Sequence, residues 1–579
     1  MKATSPSRVE LGSEGVSSRP ANRLALPADS SSLTVPGEGS GLEAKVAPSS
    51  PSMNLVAADV RRLIPFPASE VRASSRRLLR LIVSSPLLGR RPLTNAFRHG
   101  LTLLLFAHLA AMTARADVIL DWTELMLDAI RADNTGPTLS TRNLAILHTA
   151  IYDAVNSIER THQPYRFFPA PPADASTESA AVAAAYEVMR SLYPPLQARA
   201  EDLYVTYVVT AAATPALTNG LAFGAGIGRQ VVESRSADGS STTVPYIPSN
   251  APGQWRRTPP FFRPPLDPHW RYVELFCLPD IEPFVPPGPP ALTSQAYALD
   301  YNQVKEIGAK NSPTRTVEQS EIAVFWSDFS YTAMPPGHWH EVAMVIARNR
   351  ANTLSQNARM LALISLAQAD AAIVCWETKY RFNFWRPVTA IQRGDEDGNP
   401  ATEKDETWNH FLAAPPFPEY SSGHSTFSKA TADVLAHFYG TDAISFTVGS
   451  DSLPGVYRSF QSLAECADEV GMSRVYGGIH FMSANRDGKA SGAKIGNYVA
   501  GNYLIPNEWL PRLLVERGGG ESVQLRVHGH MGKQCVVESS PDLARWTPIS
   551  TNSPLPGGFV LSRTITPEQR REFYRVREP

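Results

Sequence analysis

The sequence predicts a mainly α-helical protein that ends in a small β module. Three observations carry this. Between 117 and about 515, apolar residues recur at helical spacing. After Arg517 the segments SVQLRVHG, QCVVESS, GFVLSRTI and FYRVRE alternate like strands. Between the two lies Gly518-Gly519-Gly520, a linker signal. Hydrophobic residues make up 43% of 579, enough for a large core, so wholesale disorder is excluded. The expected division is 1–116, an N-terminal segment; 117–517, a helical domain; and 518–579, the β module.

Residues 1–52 hold 12 Ser and little periodicity and read as disordered. A basic stretch from Arg61 to Arg98 leads into LTLLLFAHLAAMTA at 101–114 and then Ala114-Arg115-Ala116. A positive region, a short apolar run and an A-x-A site read as a secretory signal peptide. The run is short for a bilayer span. A mature chain starting near Asp117, in a secreted or periplasmic location, is expected. The stretch before the apolar run is long for a signal, which suggests a later true start. No other segment reads as transmembrane.

Helices are expected over about 140–158 (capped by Ser140), 176–192, 197–213, 217–233, 293–310, 316–327, 338–351, 354–382, 424–440, 456–474 and 484–503. The Pro-rich stretch 235–292 reads as a long functional or core-wrapping connection. Residues 1–116 carry 15 of the 54 Lys/Arg and 7 of the 55 Asp/Glu, so the body is acidic, which argues against general nucleic-acid binding. Cys277, Cys375, Cys466 and Cys535 form no CxxC, arguing against a cysteine zinc site or a disulfide scaffold. The β module carries no cluster of catalytic residue types. It suggests attachment to the cell surface or, equally, simple stabilisation. The sequence sets no oligomeric state.

Three segments carry chemistry: Lys379-YRFNFW-Arg386-Pro387, Phe417-Pro-Glu-Tyr-Ser421-Ser422-Gly423-His424, and Ser473-Arg474-VYGGI-His480. Lys379 and Arg386 are seven apart, two helical turns, and are expected on one helix face with Trp376. Ser422-Gly423-His424 opens a helix, whose free N–H groups suit an anion. Arg474 ends a helix, and the Gly477-Gly478 turn brings His480 to the next. Two Arg and a Lys around a helix N-terminus form a cradle for a tetrahedral oxyanion. Two His then supply a nucleophile or metal ligand and an acid–base group. Singly, these pieces are common as solvated faces or capped helix starts; their joint order is the signal.

K-x₆-RP, SGH and SR-x₅-H together resemble the signature of vanadium-dependent haloperoxidases and the type-2 phosphatidic-acid phosphatase superfamily. ADAAIVCWETKYRFNFWRPVTAI, PPFPEYSSGHSTF and EIAVFW…PPGHWHEVA look like the bacterial chloroperoxidase-like branch, and the resemblance covers about 120–505. It implies a helical-bundle fold and vanadate as cofactor. Lys379, Arg386, Ser422, Gly423 and Arg474 would hold its oxygens, His480 would bind the metal, and His424 would be the acid–base. Trp376 and Phe417 match positions lining the halide pocket; Phe there is typical of chloroperoxidases. The partners implied are hydrogen peroxide and halide. His424 would take a proton from peroxide and Lys379 would polarise it, so that halide attacks oxygen to give a hypohalous-acid equivalent.

The superfamily pattern continues H-x₃-D, where this chain has Ala484. Asp487, seven after His480, is the expected substitute for that carboxylate, and its displacement counts against phosphatase-type attack by His480. The alternatives kept open are a secreted acid phosphatase and a non-catalytic oxyanion-binding relic. His338 and His340 face different ways on a helix and read as structural or pocket residues. Asp370 and Glu377 are expected to pair with cations, Asp370 in a core salt bridge. His148 is expected to be a satisfied core histidine, and Glu419 a contact of the cradle.

Overall fold

The computed structural model describes residues 117–518, 522–530, 533–555, 557–564 and 572–579. The expected disordered segment and signal peptide at 1–116 lie outside the described residues. The helices are α1 (Val118–Asp133), α2 (Pro137–Glu159), α3 (Thr177–Leu192), α4 (Gln197–Thr210), α5 (Pro215–Ser234), α6 (Gln295–Ile307), α7 (Val317–Phe325), α8 (Met334–Arg350), α9 (Leu354–Phe382), α10 (Pro387–Gln392), α11 (Gly423–Tyr439), α12 (Leu463–Tyr476) and α13 (Met482–Asn502). Between α11 and α12 runs a hairpin of β1 (Phe446–Gly449) and β2 (Tyr457–Phe460). The C-terminal strands are β3 (Arg512–Arg517), β4 (Ser522–His528), β5 (Cys535–Ser540), β6 (Thr547–Asn552), β7 (Phe559–Thr564) and β8 (Phe573–Arg577).

The sequence reading has no helix at α1 or α10, and it merges β2 into α12. Ser140 does not cap α2. Gly136 does, with Pro137 at the first helical position, and the Ser140 hydroxyl instead donates to the Gly136 carbonyl at 2.8 Å. The long helix α9 does run from 354 to 382. Thr353 and Gln356 form a capping box at its start, and Asn383 closes it in the left-handed region at φ 49°. By length and mean hydropathy (1.5) α9 could cross a membrane. It does not need to, because 94% of its apolar window is buried in the bundle.

The helices form two groups joined along α9. In the first, α2 packs on α3 and α5; in the second, α9 and α13 flank α11, and α12 lies beside it. In each group glycine permits the closest approach. Gly220, Gly224 and Gly228 of α5 face Ser176, Ala180 and Ala184, while Gly488, Gly492 and Gly496 of α13 face the Ser422, Thr426 and Ala430 carbonyls of α11. A Cβ on Gly492 would lie 2.3 Å from the Thr426 carbonyl oxygen, so α13 fixes where α11 starts.

The Pro-rich connection wraps the bundle. The Asp370 carboxylate accepts the backbone N–H groups of Phe276, Cys277 and Leu278 at 2.7–2.8 Å. The expected Asp370 salt bridge is therefore replaced by a backbone clamp. Asp153 does the same for Tyr165, Arg166 and Phe167. Glu377 pairs with Arg271 and Arg381, each at 2.6 Å, rather than with the motif cations. His148 is buried but not satisfied: both its ring nitrogens lack a hydrogen-bond partner, and it stacks on His340 at 5.3 Å.

The β strands form two three-stranded sheets, β3-β4-β7 and β6-β5-β8, around Leu525, Val527, Cys535 and Val537. Strand β3 pairs with β4 from Arg512↔His528 to Arg517↔Val523. The expected boundary at Gly518 therefore falls between two paired strands, and the module begins at 512. It docks on the bundle through His528 Nε2 to Asn502 Oδ1 (3.2 Å) and Gln163 Nε2 to the Gly529 carbonyl (3.0 Å).

Two glycines on α13 separate packing from propensity. Gly492→Ala is expected to destabilise the protein by about 1–3 kcal/mol, because the Cβ meets backbone that cannot move freely. Gly501, with nothing within 4 Å of a built Cβ, should gain up to about 1 kcal/mol as Ala. Denaturant midpoints of the two variants test the contrast; equal midpoints would refute it.

Candidate active site

The site forms where the C-terminal end of α9 meets the N-terminus of α11. Lys379 lies in the last turn of α9. Arg386 does not continue that helix face: α9 stops at Phe382, and Arg386 is the N-cap of the separate helix α10. The chain turn after Asn383, not helical periodicity, brings the two cations together. Both sit over the Phe417 ring, Lys379 Nζ 4.8 Å and the Arg386 guanidinium carbon 5.0 Å from its centroid.

Neither cation is water-solvated. Lys379 Nζ donates to the Pro418 and Glu419 carbonyls at 3.2 and 3.1 Å, and to that of Ser421. Burial lowers its pKa from 10.5 to about 8. Arg386 donates from Nε to the Phe417 carbonyl (3.0 Å) and from Nη1 to the Ile479 carbonyl (2.8 Å) and His480 Nε2 (3.1 Å). Arg474, fully buried at the end of α12, donates from Nη1 to the Trp326 carbonyl at 3.0 Å. Burial, only partly opposed by Asp328, lowers its pKa to about 9.

His480 reaches this cluster because Gly478 turns the chain at φ +72°, with its built Cβ position 2.2 Å from the Gly308 carbonyl oxygen. Its Nδ1 is 2.8 Å from Glu419 Oε1, which also accepts the Phe481 N–H at 2.9 Å. Since Arg386 can only donate to Nε2, the hydrogen-bond network assigns the proton to Nδ1. Nε2 then carries a lone pair. Burial, reinforced by Arg386, Lys379 and Arg474, holds the imidazole well below its ordinary pKa. Burial raises Glu419 to about 8. Glu419, not Asp487, is thus the carboxylate that orients His480; Asp487 binds the Tyr420 hydroxyl at 2.8 Å instead. The Ala484 position is filled by α13 backbone, whose carbonyl accepts the Ser422 N–H at 3.1 Å.

Ser422 caps α11, its Oγ accepting the Ser425 N–H at 3.3 Å. The Gly423 and His424 amides at the helix start have no intrahelical acceptor. A Cβ at Gly423 would meet nothing nearer than 3.6 Å, so packing does not demand glycine there. His424 lies on the next residue, and burial, with Arg474 beside it, lowers its pKa well below the ordinary value. It is therefore a neutral base at neutral pH. Its Nε2 is 4.0 Å from Asp328 Oδ2 and has no hydrogen-bond partner.

Gly423, His424, Arg474, His480, Trp376 and Phe417 line one cavity of about 490 Å³. Trp376 and Phe417 touch, with ring centroids 5.1 Å apart. Lys379, Arg386 and Ser422 lie buried outside that lining. The structure adds Asp328, which no motif marks: it is a loop residue at φ 43° between α7 and α8. Its Oδ1 is 3.0 Å from His338 Nδ1, and His338 Nε2 is 2.8 Å from the Gly449 carbonyl. Burial opposes charge on His338, but Asp328 carries its pKa up to about 9. His340 faces elsewhere, onto Ser365 and the Pro336 carbonyl.

Lys379, Arg386 and Arg474, together with His338 whose pKa is carried up to about 9, outweigh Asp328 and Glu419 and leave the region short of negative charge. Arg386 Nη2, Arg474 Nε and His424 Nε2 are all buried without a partner. The two guanidinium donors fit an oxyanion with several oxygens, and the Nε2 lone pair of His480 fits an electrophilic centre within it. Among the described residues no group of three or more His, Cys, Asp or Glu is placed to hold a simple metal cation.

Residues 359–504 match the family profile of the VCPO second helical-bundle domain. The chain is 29% identical over 240 residues to the vanadium chloroperoxidase of Curvularia inaequalis, covering 34% of this chain and 39% of that protein. The match thus spans about two fifths of that relative's length. Among solved structures, the first bacterial vanadium-dependent iodoperoxidase superposes with a TM-score of 0.60 at 28% identity, over 67% of this chain and 97% of that one. An apo-type bacterial vanadium-dependent chloroperoxidase shares the fold, with a TM-score of 0.53 at 17% identity over 63% and 92% of the two chains.

The titration of Lys379 gives a directional test. Below pH 8 Lys379 carries its charge and above it the charge is lost. Binding of sulfate, whose own charge is constant in this range, is expected to weaken as pH rises through about 8. The limit is roughly tenfold per pH unit for one linked proton. Calorimetry should show the slope flattened in Lys379→Gln; an unchanged slope would assign the titration to another group.

Proposed function

We propose that the chain is a vanadium haloperoxidase that oxidises halide with hydrogen peroxide to a hypohalous-acid equivalent, using vanadate. The observation that carries the reading is the set of unpartnered buried donors beside an imidazole whose Nε2 lone pair is free of a proton. Lys379, Arg386, Ser422, Gly423 and Arg474 would hold the oxygens of vanadate, and His480 would bind the metal. When bound, vanadate supplies a Lewis-acidic centre that activates peroxide without a change of oxidation state.

The chain's own groups have separable tasks. Glu419 fixes the His480 tautomer through Nδ1. His424, neutral because it is buried beside Arg474, accepts a proton from incoming peroxide. Lys379 and the two Arg supply positive charge that needs no reorganisation, since backbone carbonyls already orient it. Trp376 and Phe417 offer an apolar wall on which a weakly hydrated halide is less strongly solvated than in water. Export of the chain is proposed on the signal-like segment at 101–116. For the β module a stabilising role is proposed, supported by its polar contacts with α13.

One observation favours a second reading. Glu419 provides the carboxylate that the sequence lacks at Ala484, so an oriented His480 is equally available to attack phosphorus in an ester. The two readings separate in one assay set on the full chain. With vanadate and peroxide, iodide and bromide oxidation is expected, abolished by His480→Ala and reduced about 10–100-fold by Glu419→Gln. Phosphate-ester cleavage without vanadate, in the absence of halide oxidation, would refute the haloperoxidase reading.

A further inference from the structure

We propose that the cleft at the start of α9 is a second oxyanion site, one that takes a phosphate-type group at the opposite end of that helix from the cradle. Arg359 in the cleft and Lys379 in the cradle stand on the same helix, about 30 Å apart at a rise of about 1.5 Å per residue. Neither the haloperoxidase nor the phosphatase reading enters this inference.

The cleft has a volume of about 430 Å³, and three stretches of chain meet there. His162 lies just beyond α2, Arg350 ends α8 and leads to Ser355 and Arg359 on α9, and Phe438 and Tyr439 end α11. Each guanidinium is laid over a ring. Arg350 is 5.7 Å from the Tyr439 centroid and Arg359 5.3 Å from that of Phe438, and the two centroids are 4.9 Å apart. A guanidinium held on a ring keeps its N–H edge free, and that edge matches the paired oxygens of a phosphate-type group.

The charge of the pair is left open. Elsewhere Arg131, Arg348, Arg381 and Arg458 meet carboxylates. Among the described residues, exposed Arg350 has neither an ion pair nor a hydrogen bond, and half-buried Arg359 has no ion pair. The hydrogen bond of Arg359 runs from Nε to the Leu504 carbonyl at 2.8 Å, which anchors the side chain and leaves both terminal nitrogens unused. Glu159 borders the cleft but accepts the Ser355 hydroxyl instead of pairing with either Arg.

His162 completes the donor set. Asn156 fixes its backbone, accepting its N–H at 3.1 Å and donating to its carbonyl at 2.8 Å. Burial, reinforced by the charge of Arg359, lowers its pKa to about 4, so the imidazole is neutral. Its Nδ1 lies 2.8 Å from the Thr161 hydroxyl, and taking that proton keeps a donor at Nε2. A planar carboxylate has only two oxygens for two guanidiniums and an imidazole. A tetrahedral phosphate-type group has three or four, which is why the donor set selects it.

The test is amide hydrogen exchange of the full chain at about 0.15 M sodium chloride, titrated with inorganic phosphate and, separately, with phenylphosphonate, whose C–P bond a phosphatase cannot hydrolyse. Read by segment, exchange reports each site on its own: 350–359 for the cleft and 420–424 for the cradle. Saturable slowing at 350–359 is expected with both probes. Tighter phenylphosphonate binding would support an esterified phosphate as the occupant, and equal binding the free anion. Arg350→Gln is expected to raise the half-protection concentration at 350–359 about three- to tenfold. Glu159→Gln, which removes the bordering negative charge, should lower it about two- to threefold. Both should leave the midpoint at 420–424 within about twofold. Protection confined to 420–424, or a midpoint at 350–359 that Arg350→Gln leaves unmoved or Glu159→Gln raises, would overturn the proposal.

Discussion

Three cations buried in one small region repel one another, and the rest of the site is arranged to tolerate them. Lys379, Arg386 and Arg474 are each at most 1% exposed. Burying such charges without partners costs several kcal/mol each. The chain answers with carbonyl oxygens from three separate segments, around Trp326, Phe417–Ser421 and Ile479. Carbonyl dipoles offset charge without neutralising it, so the region stays electropositive. A carboxylate for every cation would have been more stabilising and would have left nothing for an oxyanion to do.

The scaffold follows from that need for fixed dipoles. Carbonyls solvate a cation only if their backbone cannot drift. The glycine ridge of α13 presses on α11, which locks the Ser422–Thr426 turn. Asp370 holds the Pro-rich connection against α9 through three amides. That connection delivers the Leu266 carbonyl to Trp376 and Tyr380, one to three residues from Lys379. Local irregularity around the site is therefore supported by regular helix packing further away.

The same shortage of negative charge links the imidazoles to the chemistry. Burial, reinforced by the cations beside them, keeps His424 and His480 neutral, so a proton acceptor and a lone pair coexist at neutral pH. Glu419 influences one of them through a hydrogen bond, and Asp328 stands 4.0 Å from the other, itself held by His338. Both carboxylates occupy loops, where their side chains reach across helix ends that no single helix face could span.

By itself the sequence determined the helical class, the limits of α9, and the three motif segments whose residues meet at the site. It did so because capping boxes, apolar periodicity and residue type are local properties, readable from Thr353, Gln356 and the 3.6-residue pattern. Only the tertiary structure decided that Arg386 reaches Lys379 by a chain turn. The same holds for Glu419 serving in place of a residue at 484 or 487, and for Asp370 clamping amides instead of a cation. Gly518 falls between paired strands rather than in a linker for a similar reason. Glu419 and Asp370 find partners 61 and 92–94 residues away, a choice set by packing of the whole bundle. The turn after Asn383 and the β3–β4 pairing are short-range but depend on the backbone they pack against, which no local pattern records.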